Sequence, residues 1–168
     1  MGLYDYVNAD EIARGISPYH PDSVAFEAGR VMLERLNHLA SERHDFAFET
    51  TLSGKTYIKW ISRLRSAGYM AHLVLIALNG PELAIERVAN RVKLGGHNIP
   101  TDVIRRRWQL GLQNFFHLYS PLVDTWSLYD NSEGGKPRLV AVGRRQCQPD
   151  VVESRMWQEL CRLSDVDD

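Results

Sequence analysis

A chain of 168 residues, 44% hydrophobic and 24% charged, suits one domain with a sizeable core rather than a fibre, a disordered tail or a repeat array. A formal net charge of -1 gives no global steering toward nucleic acid or an anionic membrane, so any basic site has to be local. There is no 18-residue apolar run and no secretory leader, and Cys147 and Cys161 lack metal-ligand spacing; together these predict a cytoplasmic protein with reduced thiols.

In chain order, Leu3–Val7 reads as a strand that delivers Asn8-Ala9-Asp10 to the start of a helix. A long helix over Asp22–Arg43 follows Pro21, with Val24, Ala28, Val31, Leu36 and Leu39 as its apolar stripe. Asp45–Glu49 (DFAFE) is the second strand, and Thr56–Ala67 is a helix closed by Gly68. Ala71–Leu78 (AHLVLIAL) is an almost continuous apolar run, the pattern of a strand covered on both faces. Helices over Glu82–Leu94 and Thr101–Tyr119 flank Gly95-Gly96, each opening after a proline. Trp126–Tyr129 and, more weakly, Arg138–Val142 are strands, and an amphipathic helix over Asp150–Leu163 ends the chain. Strands alternating with helices predict a three-layer α/β architecture around a mostly parallel sheet.

Acid, hydroxyl and guanidinium groups collect at the element ends. Asp10 reads either as a helix N-cap or as a general base taking a proton from an acceptor hydroxyl, and the two roles are compatible. Glu49, Thr50 and Thr51 could bind a polyhydroxylated substrate or hold water on magnesium, or could simply form a turn with local bonds to backbone. Arg87 and Arg91 share a helix face, and Arg105, Arg106 and Arg107 follow the glycine pair. Such a helix pair could be a mobile lid over phosphates, or a solvated basic face bonded to Glu82, Glu86 or Asp102. His97 stands beside Gly-Gly where a substrate contact is possible, though a loop histidine needs no specific role. Tyr129-Asp130-Asn131-Ser132 reads as a polar turn, and Trp108, Phe115, Phe116 and Tyr119 read as core. A phosphate loop, GxxxxGK[ST], has its nearest match at Glu49-Thr50-Thr51-Leu52-Ser53-Gly54-Lys55-Thr56. Glu49 replaces the first glycine, placing a carboxylate and a Cβ where a polyanion needs close backbone approach, so the stretch reads as a decoy.

VNADEIARG, FAFETTLSG, RVKLGGHNIP, IRRRWQLGLQN and SLYDNS, in this order, resemble the zeta toxin family, in particular its chromosomal branch of small P-loop ATPases or kinases. The similarity spans about residues 5 to 143, which sets a kinase-like domain over 1–143 and a tail over 144–168. The resemblance implies a P-loop NTPase-like fold, ATP and Mg2+ as cofactors, and phosphoryl transfer to a sugar hydroxyl of a UDP-N-acetylglucosamine-like acceptor. It further implies a small-molecule substrate and a possible antitoxin partner, with no nucleic acid and no membrane. By position, Asp10 resembles the base, and Glu49, Thr50 and Thr51 fall on the substrate-facing strand end. Arg91, with one or two of Arg105 and Arg106, resembles the lid arginines that clamp the transferring phosphate. The SLYDNS segment, with Asn131, resembles the strand near the nucleotide base. Relatives place a strand, a phosphate loop and a helix ahead of VNADE, about 25 to 40 residues by usual unit lengths. An N-terminally truncated kinase is therefore expected, inactive as it stands and without the central strand of its sheet. The flanking DFAFE and AHLVLIAL strands would then either close on each other or leave the sheet split. A non-catalytic ligand-binding or interaction protein is the alternative, and a rearranged NTPase using the decoy loop is a third.

Overall fold

The computed structural model describes residues 5–96 and 98–165, and His97 lies outside the described residues, as do Leu3 and Tyr4 of the first predicted strand. The chain divides into two compact units, residues 1–50 and 51–168.

In the first unit, β1 (Asp5–Val7) leads through Asn8 into α1 (Ala9–Ile16). A 3-10 turn (Pro21–Val24) precedes α2 (Ala25–Ser41), and β2 (Phe46–Phe48) returns beside β1. The two strands pair in parallel, with Val7 opposite Phe48. Ala28, Met32, Leu36 and Leu39 of α2 are fully buried and pack the unit with Val7 and Ala13. The predicted stripe is therefore right at Ala28, Leu36 and Leu39; Val31 yields to Met32, and Val24 is half-buried in the 3-10 turn ahead of the helix, while spacings of four, four and three residues keep one helix face inward.

The second unit holds α3 (Thr56–Ser66), β3 (His72–Ala77), α4 (Pro81–Lys93) and α5 (Thr101–Asn114). A π-helical turn (Phe115–Tyr119), β4 (Thr125–Asp130), β5 (Arg138–Arg144), β6 (Asp150–Val151) and α6 (Ser154–Ser164) complete it. Its sheet runs β3-β4-β5-β6, parallel between β3 and β4 and antiparallel thereafter. The sheet is thus mixed rather than mostly parallel. The segment from Asn131 to Pro137 between β4 and β5 is too short for a crossover, so the chain can only turn back. β2 belongs to one sheet and β3 to the other.

Three further expectations change. AHLVLIAL is not covered on both faces: Leu73, Leu75 and Ala77 face the core, while Val74 and Ile76 on the alternate face are 61% and 54% exposed. The long helix predicted over 101–119 changes pitch after Asn114, where Ser120 N–H donates to Phe115 O in a π-type bond of 2.9 Å. The last helix starts at Ser154, because Asp150-Val151 pairs with β5 and the amides of Val152 and Glu153 both donate to Val140 O. Pro149 and the valine pair favour extended backbone there. The tail is structural: Leu160 is fully buried, and Trp157 stacks on Trp126 at 5.9 Å between ring centroids. Phe115 and Tyr119 are also buried in this core, as expected of that aromatic cluster.

At the amino ends of β3 and β4, Asp124 binds Arg65 bidentately at 2.7 and 3.0 Å and accepts the Ala71 N–H at 2.8 Å. The Arg65 guanidinium leads, outweighing the upward push of burial, and with the Ala71 amide holds the Asp124 carboxyl at about 2. A folded value below the ordinary carboxyl value means the stabilisation is complete above that value and is lost as pH falls through about 2. Asp124→Asn is expected to cost about 1–2 kcal/mol at neutral pH, read by urea unfolding. The difference between wild type and variant shrinks on acidification through the same range; a difference constant with pH contradicts this assignment.

Candidate functional site

The two units carry separate sets of polar groups, both at the carboxyl ends of parallel strands, where α/β proteins expose their binding groups. In the first unit, pairing sets Asn8 and Glu49 side by side, and Glu49 N–H donates to Val7 O at 3.4 Å. Asn8, not Asp10, is the N-cap of α1: its Oδ1 accepts from Asp10 N at 2.8 Å and from Glu11 N at 3.4 Å. The capping half of the Asp10 expectation is therefore corrected, because the helix begins at Ala9, two residues earlier than that reading requires. Asp10 sits instead in the first turn, exposed, with no side-chain partner among the described residues. A carboxylate there is favoured by the helix dipole and remains open to a ligand. Asn8 Nδ2 donates to Glu49 Oε2 at 2.8 Å and lies 3.4 Å from Tyr6 Oη. The neighbouring Glu49 carboxylate pushes the Tyr6 phenol above its ordinary value, and the phenol therefore remains a hydrogen-bond donor. Thr50 ends this unit.

In the second unit, α4 and α5 form a hairpin whose turn explains the glycine pair. Gly95 adopts φ +89°, and the N–H groups of Gly95 and Gly96 close onto Val92 O and Arg91 O, each at 3.0 Å. A Cβ on Gly96 would stand 2.6 Å from Arg91 Cγ, so only glycine lets the turn fold against that arginine. The hairpin is pinned to the strand ends. Arg87 donates to Asn131 O, and Trp108 Nε1 donates to Leu78 O at 3.2 Å. Arg105 forks onto Glu82 at 3.0 to 3.1 Å, with both side chains exposed. For Arg105 the solvated ion pair is what the structure contains, worth about 0.2–1 kcal/mol. Arg91 and Arg106 are exposed and make no ion pair among the described residues.

The YDNS turn is more than a turn. Asp130 is 3% exposed; it accepts from Ser132 N–H at 2.9 Å, from the Ser132 hydroxyl and from Arg138 at 3.0 Å. Burial pushes its carboxyl up, but these bonds outweigh burial and leave it below the ordinary value. Asn131 Oδ1 is buried without a partner among the described residues. The sequence assigned no role to Asn8 or Tyr6, and it placed Arg87 beside Arg91 on a lid or solvated basic face rather than on the Asn131 carbonyl. Only Asn8 had a readable signal, as a preferred cap residue before Ala-Asp-Glu.

The stretch from Glu49 to Thr56 does not fit a triphosphate. Glu49 is bonded to Asn8, Leu52 is buried with φ +56°, and Thr51 Oγ1 meets Ser53 Oγ at 2.8 Å. Asn114 Nδ2 donates to Leu52 O and Tyr119 Oη to Gly54 O, both at 2.7 Å. The Thr51 carbonyl lies so near Gly111 that a Cβ there would stand 2.6 Å from it. The turn anchors α3 to α5 through its carbonyls, whereas a phosphate nest needs consecutive N–H groups around a common point. Among the described residues, no group of three His, Cys, Asp or Glu side chains is placed to hold a metal ion. No helix among them is long and apolar enough to cross a membrane.

Set against known proteins, the sequence model of the Zeta toxin family matches residues 9–121, more than half of the chain. The chain belongs to the zeta toxin family. An uncharacterized protein of Haemophilus influenzae is 35% identical over 103 residues, covering 61% of this chain and 73% of that protein. No solved structure matches the zeta-toxin-family chain. Nucleotide and Mg2+ use are general to the family. ATP titration in calorimetry is expected to give the same trace for the wild-type chain and for Lys55→Ala; a binding signal that the substitution abolishes would restore the Glu49–Thr56 loop as a phosphate site.

Proposed function

We propose that this chain carries the acceptor and lid parts of a zeta-toxin-like, ATP-dependent small-molecule kinase, with a UDP-N-acetylglucosamine-like nucleotide sugar as acceptor. The observation that carries the reading is Asp10: an exposed carboxylate with no partner among the described residues, at a strand-to-helix junction inside the family match, relieved of capping by Asn8. In this role Asp10 takes the proton of the acceptor hydroxyl as that oxygen becomes nucleophilic. Glu49, Thr50 and Thr51 hold neighbouring hydroxyls, with His97 as a further acceptor contact. Arg91 and Arg106 bring guanidinium forks to the phosphoryl oxygens. Arg105 joins them once it leaves Glu82, and Asn131 lies near the base.

The donor side is a different matter. Because Glu49–Thr56 does not fit a triphosphate, the chain by itself is proposed to bind acceptor without turning over ATP. A P-loop NTPase-like sheet is the fold that goes with this reading, with the β3 face at Val74 and Ile76 left exposed. The partners proposed with this reading are a nucleotide sugar and an antitoxin protein, both met in the cytoplasm.

Titration of the purified chain with UDP-N-acetylglucosamine is expected to show binding that Glu49→Gln weakens about tenfold, while Asp10→Asn leaves it within a factor of a few. Labelled ATP and Mg2+ give no transfer with the chain alone. Adding a strand–loop–helix polypeptide bearing GxxxxGK[ST] gives transfer that Asp10→Asn lowers by about 10²-fold or more. Absence of acceptor binding removes the nucleotide-sugar reading, transfer by the chain alone removes the proposed inactivity, and a fully active Asp10→Asn removes the base.

A further inference from the structure

At the junction of β1 and α1, one side chain does two jobs. Asn8 Oδ1 accepts two first-turn amides of α1, and Asn8 Nδ2 donates to Glu49 Oε2 at 2.8 Å. The preferred short capping residues are Ser, Thr, Asp and Asn. An ionised Asp has no proton to give Glu49 and would set a second negative charge against it. Ser and Thr can cap but are one bond shorter and carry no amide. Only Asn joins an acceptor and a donor on one planar group, so it can face a helix terminus and a carboxylate together. The donor arm also passes 3.4 Å from the Tyr6 hydroxyl, which makes the group a junction of three side chains from two strands.

We propose that Asn8 is the positioning residue of the acid rim, for a hydroxyl-bearing ligand. It caps α1 so that Asp10 is left open, and it holds Glu49 in one orientation beside Tyr6. Without the Nδ2 donor, Glu49 keeps only its bond to the Tyr6 hydroxyl, and its Oε2 loses the direction that Asn8 sets. A carboxylate whose Oε2 is already bound presents Oε1 to one ligand hydroxyl in a defined geometry. Tyr6, 54% exposed, offers its ring at the same rim, which suits the apolar face of a sugar. The acceptor class rests on the proposed kinase reading; the positioning of Glu49 by Asn8 does not.

Asn8→Ser separates the two jobs, since a serine hydroxyl still caps α1 while the amide donor to Glu49 is lost. The expected result is an unchanged melting temperature with UDP-N-acetylglucosamine affinity reduced about tenfold, by analogy with the loss seen when a group that orients a metal-binding side chain is removed. Asn8→Ala, which loses both functions, lowers melting temperature and affinity together. Wild-type affinity in Asn8→Ser overturns the proposal. If the wild-type chain does not bind the nucleotide sugar, the acceptor reading fails and the positioning is decided by NMR of the ligand-free full chain. Glu49→Gln must then move the Asn8 side-chain amide resonances while the backbone amides of Asp10 and Glu11 stay in place. Unmoved Asn8 side-chain resonances overturn the positioning role as well.

Discussion

Parallel pairing of β1 with β2 governs what the first unit can do. Because Val7 lies opposite Phe48, the residues that follow each strand emerge as neighbours. One is Asn8 and the other is Glu49, and the 2.8 Å bond between them follows from that register. A slip of one residue would send both side chains to opposite faces and dissolve the acid rim. The buried face of α2 supports the register from behind, since Ala28, Met32, Leu36 and Leu39 leave α2 only one way to lie.

The second unit uses the same economy on a larger scale. Its strands are tied at both ends by side chains from helices: Arg65 to Asp124 at the amino ends, Trp108 and Arg87 to the backbone at the carboxyl ends. The α4–α5 hairpin is thereby fixed at its base, and its glycine turn lies farthest from those anchors along both helices. The segment resembling a phosphate loop belongs to this scaffold. Asn114 and Tyr119 take its carbonyls, so its backbone polarity is already spent on holding α3 to α5. A motif match in sequence counts residues, whereas anion binding depends on which way the N–H groups point.

Much of the architecture was legible because periodicity and breakers report local preference directly. The helix stripes, the glycine turn after α4 and the five longer strands all follow from apolar spacing, proline and glycine. The misreadings share a cause. AHLVLIAL reads as doubly covered because its composition is apolar throughout, yet coverage is a property of neighbours, and Val74 and Ile76 are exposed. Asp150-Val151 reads as helix until β5 supplies a pairing edge. Asp10 reads as a cap because its type and place suit one, but a cap is decided by where the first helical residue falls.

The sequence by itself determined the α/β class, the family and the chemical types available: acid after the first two strands, arginines around a glycine turn, a polar turn after β4. These depend on residue identity and spacing along the chain, which any reading can reach. Tertiary structure alone decided which groups are occupied and which are open. Glu82 engages Arg105, Asn8 engages Glu49, and Asp130 is enclosed by Ser132 and Arg138. Hydrogen bonding and burial are relations between groups in space, several of them far apart in sequence, and only folding brings those partners within reach.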